Sequence, residues 1–137
     1  MSRRFVLYTD GASRGNPGPS SIGAAIYFDG PDGLEEVASI SEPIGHTTNN
    51  VAEYKAVVAG LELVGSFEPT EVLVRADSQL LVRQLGGQYR VKAPNLKPLY
   101  GEVCRLVDEL PVVQFEHVRR EANTRADALA NEALDRL

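Results

Sequence analysis

Four acidic residues, Asp10, Glu53, Asp77 and Asp127, stand where chemistry is possible. Asp10 closes the apolar run Phe5-Val6-Leu7-Tyr8-Thr9 just before a glycine-rich segment, and Asp77 directly follows the β-branched stretch Glu71 to Ala76. Glu53 falls in the first turns of a helical pattern that begins near Asn49, and Asp127 falls early in the last helical pattern. Sites in open α/β sheets form beyond strand ends. If the strands before Asp10 and Asp77 are parallel neighbours, the two acids emerge side by side, and Glu53 and Asp127 can face the same place. Converging carboxylates repel one another strongly in a low-dielectric site, so cations must neutralise them. Oxygen donors suit Mg²⁺ or Mn²⁺. Two such ions about 4 Å apart activate a water and stabilise the leaving oxygen of a phosphodiester. Each acid alone has a plainer reading. Asp77 before Ser78 can be a helix cap, and Glu53 and Asp127 can be solvated helix acids. The spacing of all four carries the metal reading.

The elements that position these acids follow from hydrophobic period. Arg4 to Asp10 reads as a strand and Gly11 to Ser20 as a turn. Ser21 to Asp29 and Leu34 to Ile40 read as two more strands, joined at Pro31-Asp32-Gly33 in an antiparallel meander. The period then becomes helical, with Thr48 or Asn49 as N-cap and Gly65 and Pro69 ending the run. Glu71 to Ala76 is a fourth strand, Ser78 to Leu85 a short helix stopped by Gly86-Gly87, and Asn95 to Leu110 a further helix. Val112 to Val118 is a fifth strand, and Asn123 to Leu137 an amphipathic helix with Ala126, Leu129, Ala130, Ala133 and Leu134 on one side. The order β-β-β-α-β-α-α-β-α predicts an α/β fold, a five-stranded mixed sheet flanked by helices, in a single domain over 1–137.

Composition narrows the class. The chain has 137 residues, 43% hydrophobic and 24% charged, as in ordinary globular domains. Its one cysteine, Cys104, sits among Val103, Leu106 and Val107 and reads as a small core hydrophobe. No apolar run reaches the ~18 residues of a membrane span. The basic start Met1-Ser2-Arg3-Arg4 is followed by too short an apolar stretch for a signal peptide, so a cytoplasmic protein is expected. A net charge of −5 argues against a nucleic-acid binder, but two divalent cations (+4) would bring the loaded protein to about −1. Two basic stretches also stand out, with Arg83, Arg90, Lys92 and Lys97 in one and Arg119, Arg120 and Arg125 in the other. As charge alone they read as solvated faces.

With these residues in place, the chain resembles the type 1 ribonuclease H family. Tyr8-Thr9-Asp10-Gly11-Ala12-Ser13-Arg14-Gly15-Asn16-Pro17-Gly18-Pro19 is similar to its first-strand motif, and Thr47-Thr48-Asn49-Asn50-Val51-Ala52-Glu53 to its first-helix motif. Asp77-Ser78-Gln79 and Asn123-Thr124-Arg125-Ala126-Asp127-Ala128-Leu129-Ala130 are similar to the fourth-strand and last-helix motifs. The resemblance implies that Asp10, Glu53, Asp77 and Asp127 hold Mg²⁺ or Mn²⁺, two ions in the substrate-bound state. It also implies hydrolysis of the RNA strand of RNA–DNA hybrids, leaving 5′-phosphate and 3′-hydroxyl ends. Gly11, Asn16, Thr48, Asn49, Asn50 and Gln79 fall on positions that in the family contact the hybrid, so the resemblance implies the same role for them. Glycine admits a close backbone approach, and amides both donate and accept, which suits a 2′-hydroxyl. As plainer alternatives, Asn49 and Asn50 are helix caps and Gly11 and Asn16 are turn residues.

Two departures from the family pattern matter. The basic, tryptophan-rich protrusion of many members is reduced here to Gly86–Pro98 and the chain has no tryptophan, as in a sub-branch without that handle. Arg90, Lys92 and Lys97 are candidates to replace it through phosphate contacts. The family's loop histidine has two candidate counterparts, His117 at the end of a strand and Arg120, seven residues before Asp127. Arginine cannot act as a base at neutral pH, so Arg120 would act electrostatically or in product release. A monomer with no obligate protein partner and no membrane is expected. The competing expectation is a non-catalytic module on the same fold that binds hybrid or double-stranded RNA, which would gain by losing the four acids.

Overall fold

A computed structural model describes residues 2–137; Met1 of the basic start lies outside the described residues. Strands β1 (Arg4–Ser13), β2 (Gly18–Gly30) and β3 (Gly33–Thr47) form the meander, followed by α1 (Asn49–Gly65) and β4 (Glu71–Ala76). Then come α2 (Gln79–Leu85), α3 (Lys97–Asp108), β5 (Val113–His117), a 3₁₀ turn over Arg120–Ala122, and α4 (Thr124–Asp135). The five strands make one mixed sheet in the order β3-β2-β1-β4-β5. β1 runs parallel to β4 with Thr9 opposite Ala76, so Asp10 and Asp77 follow adjacent positions on neighbouring strands.

The hairpins are longer than the sequence pattern indicates. β1 does not stop at Asp10: it pairs with β2 through Ser13, and the turn shrinks to Arg14–Pro17. Likewise β3 continues past Ile40 to Thr47. Glycines, serines and prolines mask strand in the sequence. Here backbone pairing across β1, β2 and β3 satisfies their polar groups regardless of side-chain type. Asp10 therefore sits inside a strand, opposite Gly23, where the ladder fixes its backbone. Helix α3 is shorter than the expected Asn95–Leu110, because Pro98 at the start of the helix and the turn before Pro111 limit it.

Alternation along β1 and β2 divides the sheet into two faces. Phe5, Leu7, Ala24 and Ile26 join Val72 and Val74 in a core with α1 and α3. The opposite face receives α4 through its buried stripe Ala126, Leu129, Ala130, Ala133 and Leu134. Ser21 Oγ on that face donates to Ala130 O at 2.6 Å, and Ser41 Oγ donates to Leu129 O at 2.6 Å. Cys104 is exposed, contrary to the core reading, because Val103 and Leu106 occupy the buried stripe of α3 beside it. Among the described residues no helix is long and apolar enough to cross a membrane.

Candidate functional site

Two close approaches bring two helices to the acid on β1. A Cβ on Gly11 would lie 2.3 Å from the backbone at Ala52 and Glu53, so only glycine lets α1 settle here and present Glu53. A Cβ on Gly23, the partner of Asp10, would lie 2.2 Å from Ala126 O, so α4 seats its first turns on the same spot. The first-turn acid of α4 is Asp127. The first turn is also anchored by Arg125, whose guanidinium meets Glu36 of β3 at 2.9 Å.

Asp10, Glu53, Asp77 and Asp127 line one polar cavity of about 230 Å³, together with Arg120 and Asn131. Burial is the main force on Asp10. With the Asp77, Asp127 and Glu53 carboxylates nearby, it pushes the carboxyl from an ordinary 3.8 up to about 8. Burial, then the Asp77 charge, pushes Glu53 to about 7, partly opposed by a hydrogen bond with Ser78. Ser78 Oγ accepts from Leu81 N at 3.3 Å and caps α2, so Asp77 is not the cap. Instead, Asp77 Oδ2 accepts from Asn123 Nδ2 at 3.1 Å, and the same nitrogen donates to Thr9 O at 2.9 Å. Asn123 is 1% exposed and joins Thr9 of β1 to Asp77.

The donor set fits a hard divalent cation. Its oxygens are all carboxylate, and the buried Thr9 Oγ1 beside them has no hydrogen-bond partner among the described residues. Among the described residues no three His, Cys, Asp or Glu side chains stand close enough together to hold a metal ion as they are placed.

The remaining candidates separate by location. Arg120 lines the acid cavity, whereas His117 is an exposed residue paired with Ala76 on β4 and does not line it. Thr48 caps α1, its Oγ1 accepting from Val51 N at 3.3 Å. Asn16 Oδ1 accepts from Asn49 N at 3.0 Å, so the β1–β2 turn is tied to the helix start and the Asn16 amide N–H groups stay available. Asn49, Asn50 and Gln79 are exposed, and Asn49 borders the acid cavity. Gly11 is buried against α1, which gives it a packing duty the sequence reading did not assign. Arg90 and Lys97 share a separate cleft of about 490 Å³ with Tyr89 and Tyr100, and Lys92 is exposed outside its lining. Asn123 and Asn131 were not singled out from sequence. The one signal for them was their place four residues before and after Asp127, one helical turn away on the same side.

A mixed sheet with helices on both faces, and four acids gathered where β1 and β4 run side by side, defines the ribonuclease H-like class of α/β proteins. Comparison with known proteins bears this out. The family model described as Reverse transcriptase-like matches residues 8–133. Ribonuclease H of Thermosynechococcus vestitus is 34% identical over 95% of this chain and 88% of its own. Ribonuclease HI of Halobacterium salinarum is 43% identical over 96% of this chain and 65% of its own. Among solved structures, the N-terminal ribonuclease H domain of a Mycobacterium tuberculosis protein superposes with a TM-score of 0.90 at 41% identity, covering 96% of this chain and 99% of that one. LC11-RNase H1 in complex with an RNA/DNA hybrid gives 0.89 at 44% identity, over 96% and 97% of the two chains. The chain belongs to the type 1 ribonuclease H family. It spans 36% of the length of the mycobacterial relatives it matches at 41% identity.

Proposed function

We propose that this protein hydrolyses the RNA strand of RNA–DNA hybrids, leaving 5′-phosphate and 3′-hydroxyl ends. The observation that carries the reading is the gathering of Asp10, Glu53, Asp77 and Asp127 around one cavity in a chain of this family. The hybrid held by LC11-RNase H1, at 44% identity, supports the substrate. Asp10, Glu53, Asp77 and Asp127 would hold two Mg²⁺ or Mn²⁺ ions, which supply water activation and charge neutralisation at the leaving oxygen.

The chain's own residues do the rest. Asn123 ties Asp77 to Thr9 of β1, and Gly11 and Gly23 let Glu53 and Asp127 close on Asp10 from opposite faces. Arg120, at the wall of the acid cavity, would draw the scissile phosphate towards the acids. The exposed amides of Asn16, Asn49, Asn50 and Gln79 can each donate to and accept from a ribose 2′-hydroxyl, the group that marks the RNA strand. No side-chain nucleophile is required. A non-catalytic binder would keep four repelling carboxylates in one cavity to no benefit.

The test is a substrate panel of hybrid, single-stranded RNA, duplex RNA and duplex DNA, each end-labelled and incubated with Mg²⁺, Mn²⁺ or EDTA. Internal cuts in the RNA of the hybrid, with 5′ ends competent for ligation, are the expected result. Binding of the hybrid without cutting in either metal would replace the enzyme with the binding module.

A further inference from the structure

The acid cavity has a wall residue to which neither its chemistry nor its motif assigns a role. Asn131 lies one helical turn beyond Asp127 on α4, half-buried, and lines the cavity shared by the four acids. Its Nδ2 donates to Asp127 O at 3.0 Å and to Asp127 Oδ1 at 3.3 Å. We infer that Asn131 is a positioning residue that holds the Asp127 carboxylate turned towards the acid cavity and so sets the cation affinity there. The inference rests on the proposed metal-dependent function.

Three observations support it. First, asparagine is a poor helix former, and its neighbours on α4 are the good formers Ala126, Ala128, Leu129, Ala130 and Ala133. A residue that weakens the helix inside such a run has work other than helix formation. Second, the bond is shared between the helix carbonyl and the carboxylate of one residue, which restricts the Asp127 side chain to a narrow set of rotamers. Third, the donor is neutral. A lysine or arginine here would pair with Asp127 and compete with a cation, whereas an amide orients the carboxylate and leaves its charge free. Donors that orient a ligand in this way are worth a large factor in metal affinity.

The experiment is Mn²⁺ titration by calorimetry, without nucleic acid, on wild type, Asn131→Ala and Asn131→Gln. Melting temperature is read on the same samples free of metal. Alanine favours the helix, so Asn131→Ala is expected to melt at or above wild type while binding Mn²⁺ roughly 10-fold more weakly. Glutamine keeps a donor within reach of the previous turn and is expected to recover most of the affinity. In an Asp127→Asn background, Asn131→Ala is expected to change Mn²⁺ affinity no further. Unchanged affinity in Asn131→Ala beside normal uptake by wild type would overturn the role of Asn131 alone. Absence of saturable uptake by wild type would overturn the metal-dependent function, and the role of Asn131 with it.

Discussion

Burial and the neighbouring carboxylates hold the Asp10 carboxyl well above the ordinary carboxylate range, and its protonation has consequences that can be measured without substrate. A carboxyl raised from 3.8 to about 8 holds its proton more tightly folded than unfolded. The folded state therefore loses stability as pH rises from about 4, and the whole cost is present above about 8. Glu53 adds the same sign between 4.5 and about 7. Asp10→Asn removes the larger part. Metal-free Asp10→Asn is expected to melt above wild type at pH 8 by about 3 °C or more, the shift of roughly 1 kcal/mol in a domain of this size, and to converge with it near pH 4. A lower melting point for the variant at pH 8 would contradict the clustered-acid picture. For the same reason cation uptake is expected to release protons and to strengthen between pH 6 and 8.5, which titration in buffers of different ionisation enthalpy measures. Arg120 and His117 separate cleanly: Arg120→Ala is expected to lower kcat about 10-fold or more, and His117→Ala to leave it nearly unchanged. Equal losses would return His117 to the site.

At the scale of elements, the site is made by backbone approaches that only glycine permits. Gly11→Ala places a methyl inside the α1 backbone at 2.3 Å, and relief requires α1 to withdraw and carry Glu53 with it. Overpacking of this kind costs about 1–3 kcal/mol, so a fall in melting temperature together with weaker cation binding is expected. A stable, fully binding Gly11→Ala protein would show that α1 does not need this contact. The strand and helix order was legible in the sequence because most elements carry a run of apolar spacing bounded by turn residues, and the four acids stood out because they fall near the ends of those runs. The extension of β1 through Ser13 was not legible, since Gly11, Ala12 and Ser13 carry no strand signal and are held by pairing with Ile22, Ser21 and Ser20. Asn123 and Asn131 were hidden for a related reason. Their value lies in which carboxylate each amide reaches, and that distance exists only once α4 is seated on Gly23.

Over the whole molecule, a net charge of −5 has to coexist with the polyanionic substrate proposed for it. The structure answers this by segregation. Four acids gather in one cavity that the proposed cations would neutralise, while Arg90 and Lys97 line a separate cleft with Tyr89 and Tyr100. Replacing both cations with alanine is expected to raise KM for the hybrid, leave kcat largely intact, and reduce the salt dependence of binding by roughly two phosphate contacts. An unchanged salt slope would remove that cleft from the substrate path. The central claim is that the four-acid cavity hydrolyses a hybrid with divalent cations. Its most direct test is single-turnover cleavage of one end-labelled RNA–DNA hybrid by wild type and Asp10→Asn, with Mn²⁺ and with EDTA. The account predicts internal RNA cuts by wild type with Mn²⁺ alone, and their loss in EDTA and in Asp10→Asn. Equal cutting by Asp10→Asn, or cutting that survives EDTA, would contradict it.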